Sequence, residues 1–190
     1  KSVNVKELVE LRDKALQIGK DNLNEEIKIY TQIITALPEL SDKRSGGLMY
    51  MVSEKPHGDI DLEGLYYNRG KCYSEIHDYD LAIRDFQKAI SLNPLNDNSL
   101  MYFELGTAKI VSGDYLTCLE DFTNAINHSK SLASQVRSFS VADSYYNRSV
   151  SYYAHKNYKL AYNDIKKYLE FEPNDGPGDR QLKRIEEALS

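Results

Sequence analysis

The sequence predicts an all-α protein made of stacked helical hairpins, and three observations support this. One pattern of aromatic and small residues occurs three times with the same internal offsets. Outside these copies, apolar residues recur at intervals of three and four, as on one face of a helix. Pro94 and Pro173 follow two of the copies, where the second helix should end because proline cannot continue a helix.

Each copy pairs a small residue in a first helix with a small residue in a second helix. The pairs are Gly70 with Ala82, Gly106 with Cys118, and Ser149 with Ala161. Small side chains allow two helices to approach closely, whereas larger ones would overpack the contact at a cost of about 1–3 kcal/mol. The next positions of the pattern are expected to fill the space between neighbouring hairpins, and they are Phe86, Phe122 and Ile165.

This pattern resembles the tetratricopeptide repeat (TPR), a helix-turn-helix unit of about 34 residues that stacks into a superhelix. The resemblance implies an α-α superhelix forming a single domain over residues 1–190, with repeats at about 63–96, 99–130 and 142–175. It also implies a binding scaffold, because each hairpin leaves an apolar face that only its neighbour can bury. It does not identify the partner.

A helical hairpin is predicted before the repeats, at about residues 5–38. Apolar residues recur at helical spacing from Val5 to Lys20 and from Glu25 to Ala36, and Gly19 and Asn22 indicate the turn between them. Ile27 is assigned to the position that the small residue of the second helix holds elsewhere, and Leu37-Pro38 is expected to end that helix. The pair is either a degenerate repeat or a capping hairpin.

Three further segments complete the predicted order. An insertion at about 41–62 carries the apolar run Leu48–Val52, which is expected to fold back on nearby helices, to form a flap over the groove, or to form a self-association patch. Residues 129–140 are expected to extend a helix by two or three turns. After Gly176-Pro177-Gly178, a capping helix at about 178–190 should cover the open end of the array.

The resemblance places binding on a concave surface formed by the first helix of each unit. Three aromatic residues, Tyr67, Phe103 and Tyr146, hold the same position in successive units, and asparagines follow two of them. Aromatic side chains dominate many binding hot spots, and asparagine amides can donate and accept hydrogen bonds with a peptide backbone. The predicted peptide-binding residues are Tyr67, Asn68, Lys71, Phe103, Glu104, Tyr146, Asn147 and Tyr153. The plain alternative is that these tyrosines serve packing.

The resemblance also permits a negative test. TPR proteins that grip the acidic tails of heat-shock chaperones use a clamp of lysines, asparagines and an arginine. Asn68 matches one asparagine of that clamp, but the next unit offers Leu100 and Glu104 where lysine and arginine are needed. The first hairpin offers Arg12 and Leu16 for the clamp's lysine and asparagine. A chaperone-tail receptor of this type is not expected.

Catalytic and metal-binding patterns are weak. The four histidines lie far apart, and Gly46-Gly47 lacks the lysine and hydroxyl of a phosphate loop. Cys72 and Cys118 fall on predicted buried faces, where they are expected to act as small apolar residues in a reduced core. The sequence therefore predicts no enzyme, no cofactor and no metal.

Composition limits the kinds of partner. The 190-residue chain has a net charge of −5, which gives no basic surface for nucleic acid, and no apolar run is long enough for a membrane span. The reduced cysteines slightly favour the cytoplasm, although removal of a signal would permit a periplasmic or secreted protein. We expect a protein- or peptide-binding scaffold. The alternative is a structural assembly module that self-associates, for example as a homodimer, through its edges or the 41–62 insertion.

Overall fold

The computed structural model describes residues 5–41, 60–92, 98–129 and 138–190 of the chain. Over these ranges the protein forms α-helices and one short 3-10 helix, without a strand. The all-α prediction is therefore confirmed. None of the helices in these ranges combines the length and the apolar character that crossing a membrane requires.

The chain divides into two compact units, Lys1–Asn93 and Pro94–Ser190. In the first unit, consecutive α-helices pack against each other. Its elements are α1 (Val5–Ile18), a 3-10 turn (Gly19–Asn22), α2 (Leu23–Ser41), α3 (Leu62–Glu75) and α4 (Tyr79–Leu92).

The second unit is built in the same way from five helices in its described residues. Consecutive helices pack together, and α7 also contacts both α5 and α9. The helices are α5 (Ser99–Val111), α6 (Cys118–Ser129), α7 (Ser138–Ala154), α8 (Tyr158–Phe171) and α9 (Gly176–Leu189).

The small residues of the pattern lie where helices come closest. A Cβ atom added to Gly70 would stand 2.9 Å from the Cε1 atom of Phe86, and one added to Gly106 would stand 2.9 Å from the same atom of Phe122. Both phenylalanines are fully buried, so their rings have little room to move. At the equivalent place in the last repeat, Ser149 is tolerated, and its hydroxyl donates to the carbonyl of Ala161 at 2.9 Å.

The first hairpin follows a register one residue away from the predicted one. Glu26 is buried and Tyr30 is fully buried, whereas Ile27 is only half-buried, so the assignment of Ile27 was wrong by one position. The Tyr30 hydroxyl donates to the Glu26 carboxylate at 3.0 Å, which satisfies both groups inside the hairpin. The register is set by contacts with the next helix, since Thr31 accepts a hydrogen bond from Arg69 just as Thr123 does from Arg148. Helix α2 also continues past Pro38 to Ser41.

The last helix covers the end of the second unit. Ile185 of α9 is fully buried in a cluster with Ala161, Ile165 and Tyr168 of α8. Asp175 caps α9, and its carboxylate accepts a hydrogen bond from the backbone N–H of Gly178 at 2.7 Å. A C-terminal capping helix is therefore present, as the fold class predicted.

Some predictions fall outside the described residues. The Leu48–Val52 run and most of the 41–62 insertion lie there, as do residues 130–137, where a longer helix was expected. That the two units form one continuous array over residues 1–190 stays a prediction.

Candidate peptide-binding site

In the first unit, three of the predicted site residues lie along α3. Tyr67 is half-buried, and its ring centroid is 6.0 Å from that of Phe86 on α4. The Lys71 ammonium lies 5.7 Å from the centre of the Tyr67 ring, within range of a cation–π contact. Tyr67 thus serves packing with part of its surface and leaves the remainder accessible.

In the second unit, the predicted residues lie on two helices in contact with each other, α5 and α7. Phe103 is half-buried against Phe122, with ring centroids 6.2 Å apart. Tyr146 is half-buried against Tyr168 at 5.1 Å. The structure therefore gives these aromatics the same arrangement as Tyr67, in which the second helix of the hairpin supports the ring.

The two asparagines next to the aromatics retain hydrogen-bonding capacity. Asn68 and Asn147 are half-buried, and neither side-chain amide has a hydrogen-bond partner among the residues that the structure describes. Each amide can donate two hydrogen bonds and accept others. A half-buried ring followed by an unsatisfied amide is a combination suited to a peptide, since the ring offers apolar area and the amide can pair with the backbone.

Helix α9 places an arginine over the ring of Tyr153. The Arg184 guanidinium lies 5.1 Å from the centre of the Tyr153 ring, and Tyr158 packs on that ring at 5.4 Å. No pattern in the sequence predicts this role of Arg184, because the pairing depends on how α9 packs beside α7.

An arginine beside each asparagine holds its helix in place. Arg69 binds both carboxylate oxygens of Asp85 at 2.7 and 2.8 Å, and its third nitrogen donates to the Thr31 hydroxyl at 3.0 Å. The guanidinium also lies against the rings of Tyr66 and Tyr73, at 5.4 and 5.8 Å. One side chain thereby ties α3 to both α4 and α2.

The same set of contacts recurs in the second unit. Arg148 binds Asp164 at 2.7 and 2.8 Å and donates to Thr123 at 2.9 Å, between the rings of Tyr145 and Tyr152. Sequence reasoning missed these sets. Their signal was an arginine followed by an aspartate sixteen residues later, in two of the copies.

In the middle repeat, the buried aspartate is paired with a lysine instead of an arginine. Leu105 occupies the arginine position there, and Lys109 binds Asp121 at 2.6 Å instead. Lys109 lies where the other copies carry Tyr73 or Tyr152, one turn further along the helix. The aspartate is thus common to the three repeats, whereas the cation that neutralises it can come from either position.

Carboxylates gather near the start of α7. Burial raises the pKa of Asp143 above its usual range, and the nearby charges of Glu172 and Asp175 raise it further. Burial also raises the pKa of Tyr168, as does its hydrogen bond to Asp175. This end of α7 is therefore negative, whereas Arg184 brings a positive charge near its other end.

The described residues offer little for catalysis. They contain no group of histidine, cysteine and acidic side chains that could hold a metal ion. Both cysteines are free and buried, and burial together with the neighbouring Glu26 raises the pKa of Cys72 to about 12. A thiol of that pKa is a poor nucleophile near neutral pH.

The sequence profile of the tetratricopeptide repeat matches residues 65–96, the α3–α4 hairpin in which Gly70 faces Phe86. Residues 65–96 therefore match a tetratricopeptide repeat, and the fold of the chain is that of tetratricopeptide repeat superhelices.

Among curated proteins, this chain is similar to tetratricopeptide repeat protein 16 of Mus musculus. The two are 31% identical over 72 residues, which is 35% of this chain. The chain covers 9% of the length of the mouse protein.

Solved structures extend the similarity in fold. The MamA protein shares 16% identity over 96% of this chain and 80% of its own, with a TM-score of 0.70. The first TPR of Spaghetti (RPAP3), bound to the HSP90 peptide SRMEEVD, shares 22% identity over 67% of this chain and 92% of its own, with a TM-score of 0.58. The second TPR domain of human RPAP3, in complex with the HSP70 peptide SGPTIEEVD, shares 18% identity over 65% and 98%, with a TM-score of 0.54.

Proposed function

We propose that this protein is a non-catalytic scaffold that binds a protein or peptide along the concave groove of a short repeat array. The observation that carries the proposal is the repeated pair of a half-buried aromatic and an asparagine amide without a partner among the described residues, Tyr67 with Asn68 and Tyr146 with Asn147. Phe103 and Glu104 hold the equivalent place in the repeat between them. The two RPAP3 structures, each bound to a peptide, support peptide binding as a use of this fold.

The charge of the proposed surface argues for a ligand that is not strongly acidic. Glu104 and Asp143 lie on the first helices of their hairpins, and Asp143 has two further carboxylates near it. These groups would repel an acidic chaperone tail, and the site lacks the lysine and arginine with which the clamp binds such a tail. The chain is therefore proposed to bind a peptide of a different class from those in the RPAP3 structures.

The proposal is tested by capturing a partner with the intact chain and then measuring its binding to variants. Tyr67→Ala, Phe103→Ala and Tyr146→Ala should each lower the affinity roughly thirtyfold or more, since hot-spot truncation costs about 2 kcal/mol. Asn68→Ala and Asn147→Ala should weaken binding while leaving the unfolding midpoint unchanged, because neither amide has a partner within the described part of the fold.

Matched controls separate a lost contact from a damaged fold. Gln87→Ala and Lys166→Ala remove exposed side chains from the second helices α4 and α8 and should leave the affinity unchanged. Unaltered binding by all three aromatic variants and both asparagine variants would refute a groove site.

Self-association is the second candidate function. It would act through the edges or the 41–62 insertion, and it rests on the apolar run Leu48–Val52 in the sequence. Sedimentation of the intact chain distinguishes the two, because a homodimer that is lost on replacing Leu48–Val52 with serines would favour assembly.

A further inference from the structure

A depression in the second unit, away from the proposed site residues, combines apolar and basic side chains. It has a volume of about 310 Å³ and lies between the start of α8 and the end of α9. Its lining residues are Lys156, Asn157, Tyr158, Lys159, Leu160 and Leu189. We call these six residues the α8–α9 depression.

The apolar part of the depression is open to solvent. Leu160 is 48% exposed and Leu189 is 44% exposed. Tyr158, which also lines the depression, is half-buried and packs on Tyr153. Isolated surface leucines are common, but two that line one depression beside an aromatic ring form a small apolar patch that a partner side chain could fill.

The turn that lines the depression is positively charged, whereas the corresponding turns of the other two repeats carry aspartates. The turns share a residue of positive φ, which is His77 in the first, Gly113 in the second and Lys156 in the last. In the first two, an aspartate follows and accepts a backbone hydrogen bond: Asp78 accepts from the N–H of Leu81 in α4 at 3.4 Å, and Asp114 accepts from that of Thr117, just before α6, at 3.0 Å.

The last turn has lost those negative charges. Asn157 replaces the aspartate of the other turns, and its side chain makes no capping hydrogen bond. Lys159 lies where the first turn has Asp80 and the second has Leu116. Neither Lys156 nor Lys159 forms an ion pair within the described part of the chain. The positive end of the α8 dipole and the negative end of the α9 dipole both lie at the depression, so the two exposed lysines decide the positive charge of its rim.

We propose that the α8–α9 depression is a second docking site, which binds an acidic protein segment carrying a leucine-like side chain flanked by carboxylates. The apolar side chain fills the space beside Leu160 and Leu189, and the carboxylates pair with Lys156 and Lys159. The ligand class differs from that of the groove, where Glu104 and Asp143 disfavour acidic peptides. One chain would thus bring together two partners of different charge.

The test uses a fluorescent peptide, acetyl-Glu-Glu-Leu-Leu-Glu-Glu-amide, and the intact chain, with binding followed by anisotropy at low and at physiological ionic strength. We expect binding that weakens with salt, because exposed pairs are screened within about 8 Å at 0.15 M. Peptides with lysine in place of glutamate, or with serine in place of leucine, should bind at least about tenfold more weakly. Equal binding of either control peptide would overturn the proposal, as would absence of binding by the acidic peptide.

Substitutions of the lining residues test whether the acidic peptide binds at the depression. The double change Lys156→Ala and Lys159→Ala should lower the affinity about three- to tenfold, as expected for two exposed ion pairs. Lys14→Ala with Lys88→Ala removes the same charge from exposed positions of the first unit and should have no effect. Leu189→Ser, at the last residue of α9, should also weaken binding without unfolding the chain.

Asn157→Asp distinguishes lost binding from lost structure. It restores the aspartate of the other two turns, so it should raise the unfolding midpoint while weakening binding of the acidic peptide. Tyr146→Ala, a change in the proposed groove, should leave binding of this peptide unchanged. Acidic-peptide binding that is insensitive to Asn157→Asp and to the lysine pair, or full displacement by an equal concentration of inorganic phosphate or a DNA oligonucleotide, would refute the proposal.

Discussion

At the scale of single residues, this fold depends on pairs whose sizes match across a helix contact. Gly70 and Gly106 each face a fully buried phenylalanine at a distance that leaves no room for a side chain. In the last repeat, the equivalent positions hold Ser149 and Ile165, which are both fully buried, and neither has an aromatic ring. The size of the small residue is therefore set by the shape of the residue opposite it.

This pairing predicts that the effects of substitutions at positions 106 and 122 on stability are not additive. Gly106→Ser should destabilise the protein by about 1–3 kcal/mol, because the new side chain meets the Phe122 ring. Adding Phe122→Ile, which copies the pair of the last repeat, should recover part of the loss and give a coupling of at least about 0.5 kcal/mol. Urea denaturation of the two single variants and the double variant measures it. Additive losses would contradict the size-matching argument.

Asp143 gives a prediction about pH. Burial and the charges of Glu172 and Asp175 raise its pKa in the folded protein, so folding favours its protonated form. Its ionisation therefore costs stability, and this cost appears as pH rises through the region above about 4, the usual value for aspartate. Asp143→Asn should raise the urea midpoint at pH 7, and the gain should shrink as the pH is lowered towards 4. A gain that is independent of pH would show that the charge is not its cause.

At the scale of helices, buried arginine–aspartate pairs determine how each first helix joins its neighbours. Arg69 and Arg148 each reach an aspartate on the next helix and a threonine on the preceding one. Thr31 and Thr123 therefore occupy equivalent places, which identifies the first hairpin as repeat-like in its second helix. Since each arginine neighbours an asparagine of the proposed site, these contacts also fix the position of the asparagine amides.

Removing one member of a buried ion pair should lower the free energy of unfolding far more than breaking an exposed ion pair. Arg148→Ala leaves the Asp164 carboxylate, 8% exposed, without its cation and should cost about 3–5 kcal/mol. Lys167→Ala breaks an exposed pair with Glu170 and should lower the free energy of unfolding far less, because water and salt screen that pair. Arg148→Met with Asp164→Leu should cost less than Arg148→Ala, because no charge is then left buried. The free energy of unfolding from urea titrations compares them.

At the scale of the whole molecule, the chain consists of two compact units, and each has its own buried residues. The first centres on Tyr30, Ile33 and Leu65, and the second contains a cluster around Ile165 and Ile185. In a repeat protein each hairpin contacts only its neighbours, so a part of the array can retain structure when it is separated.

We therefore expect residues 94–190, produced alone, to fold. The fragment retains α9, which covers Ile185 and Tyr168, so one of its ends remains capped. Circular dichroism should show helical signal and a cooperative thermal transition. A featureless spectrum would mean that this unit depends on the first 93 residues. The variant Gly106→Ser in the same fragment should lower the transition temperature and so confirm that native packing is being measured.

The sequence alone determined the helical class, the hairpin order and the positions of the small residues, because these depend on local periodicity and on offsets that repeat along the chain. It also predicted α9 as a cap and placed aromatic residues at one position of each first helix. Only the tertiary structure decided the register of Glu26 and Tyr30, the double role of Arg69 and Arg148, and the packing of Arg184 on Tyr153. Those features depend on contacts between helices that are distant in sequence. In such contacts, a shift of one residue in helix register decides which side chain is buried and which remains available for a partner.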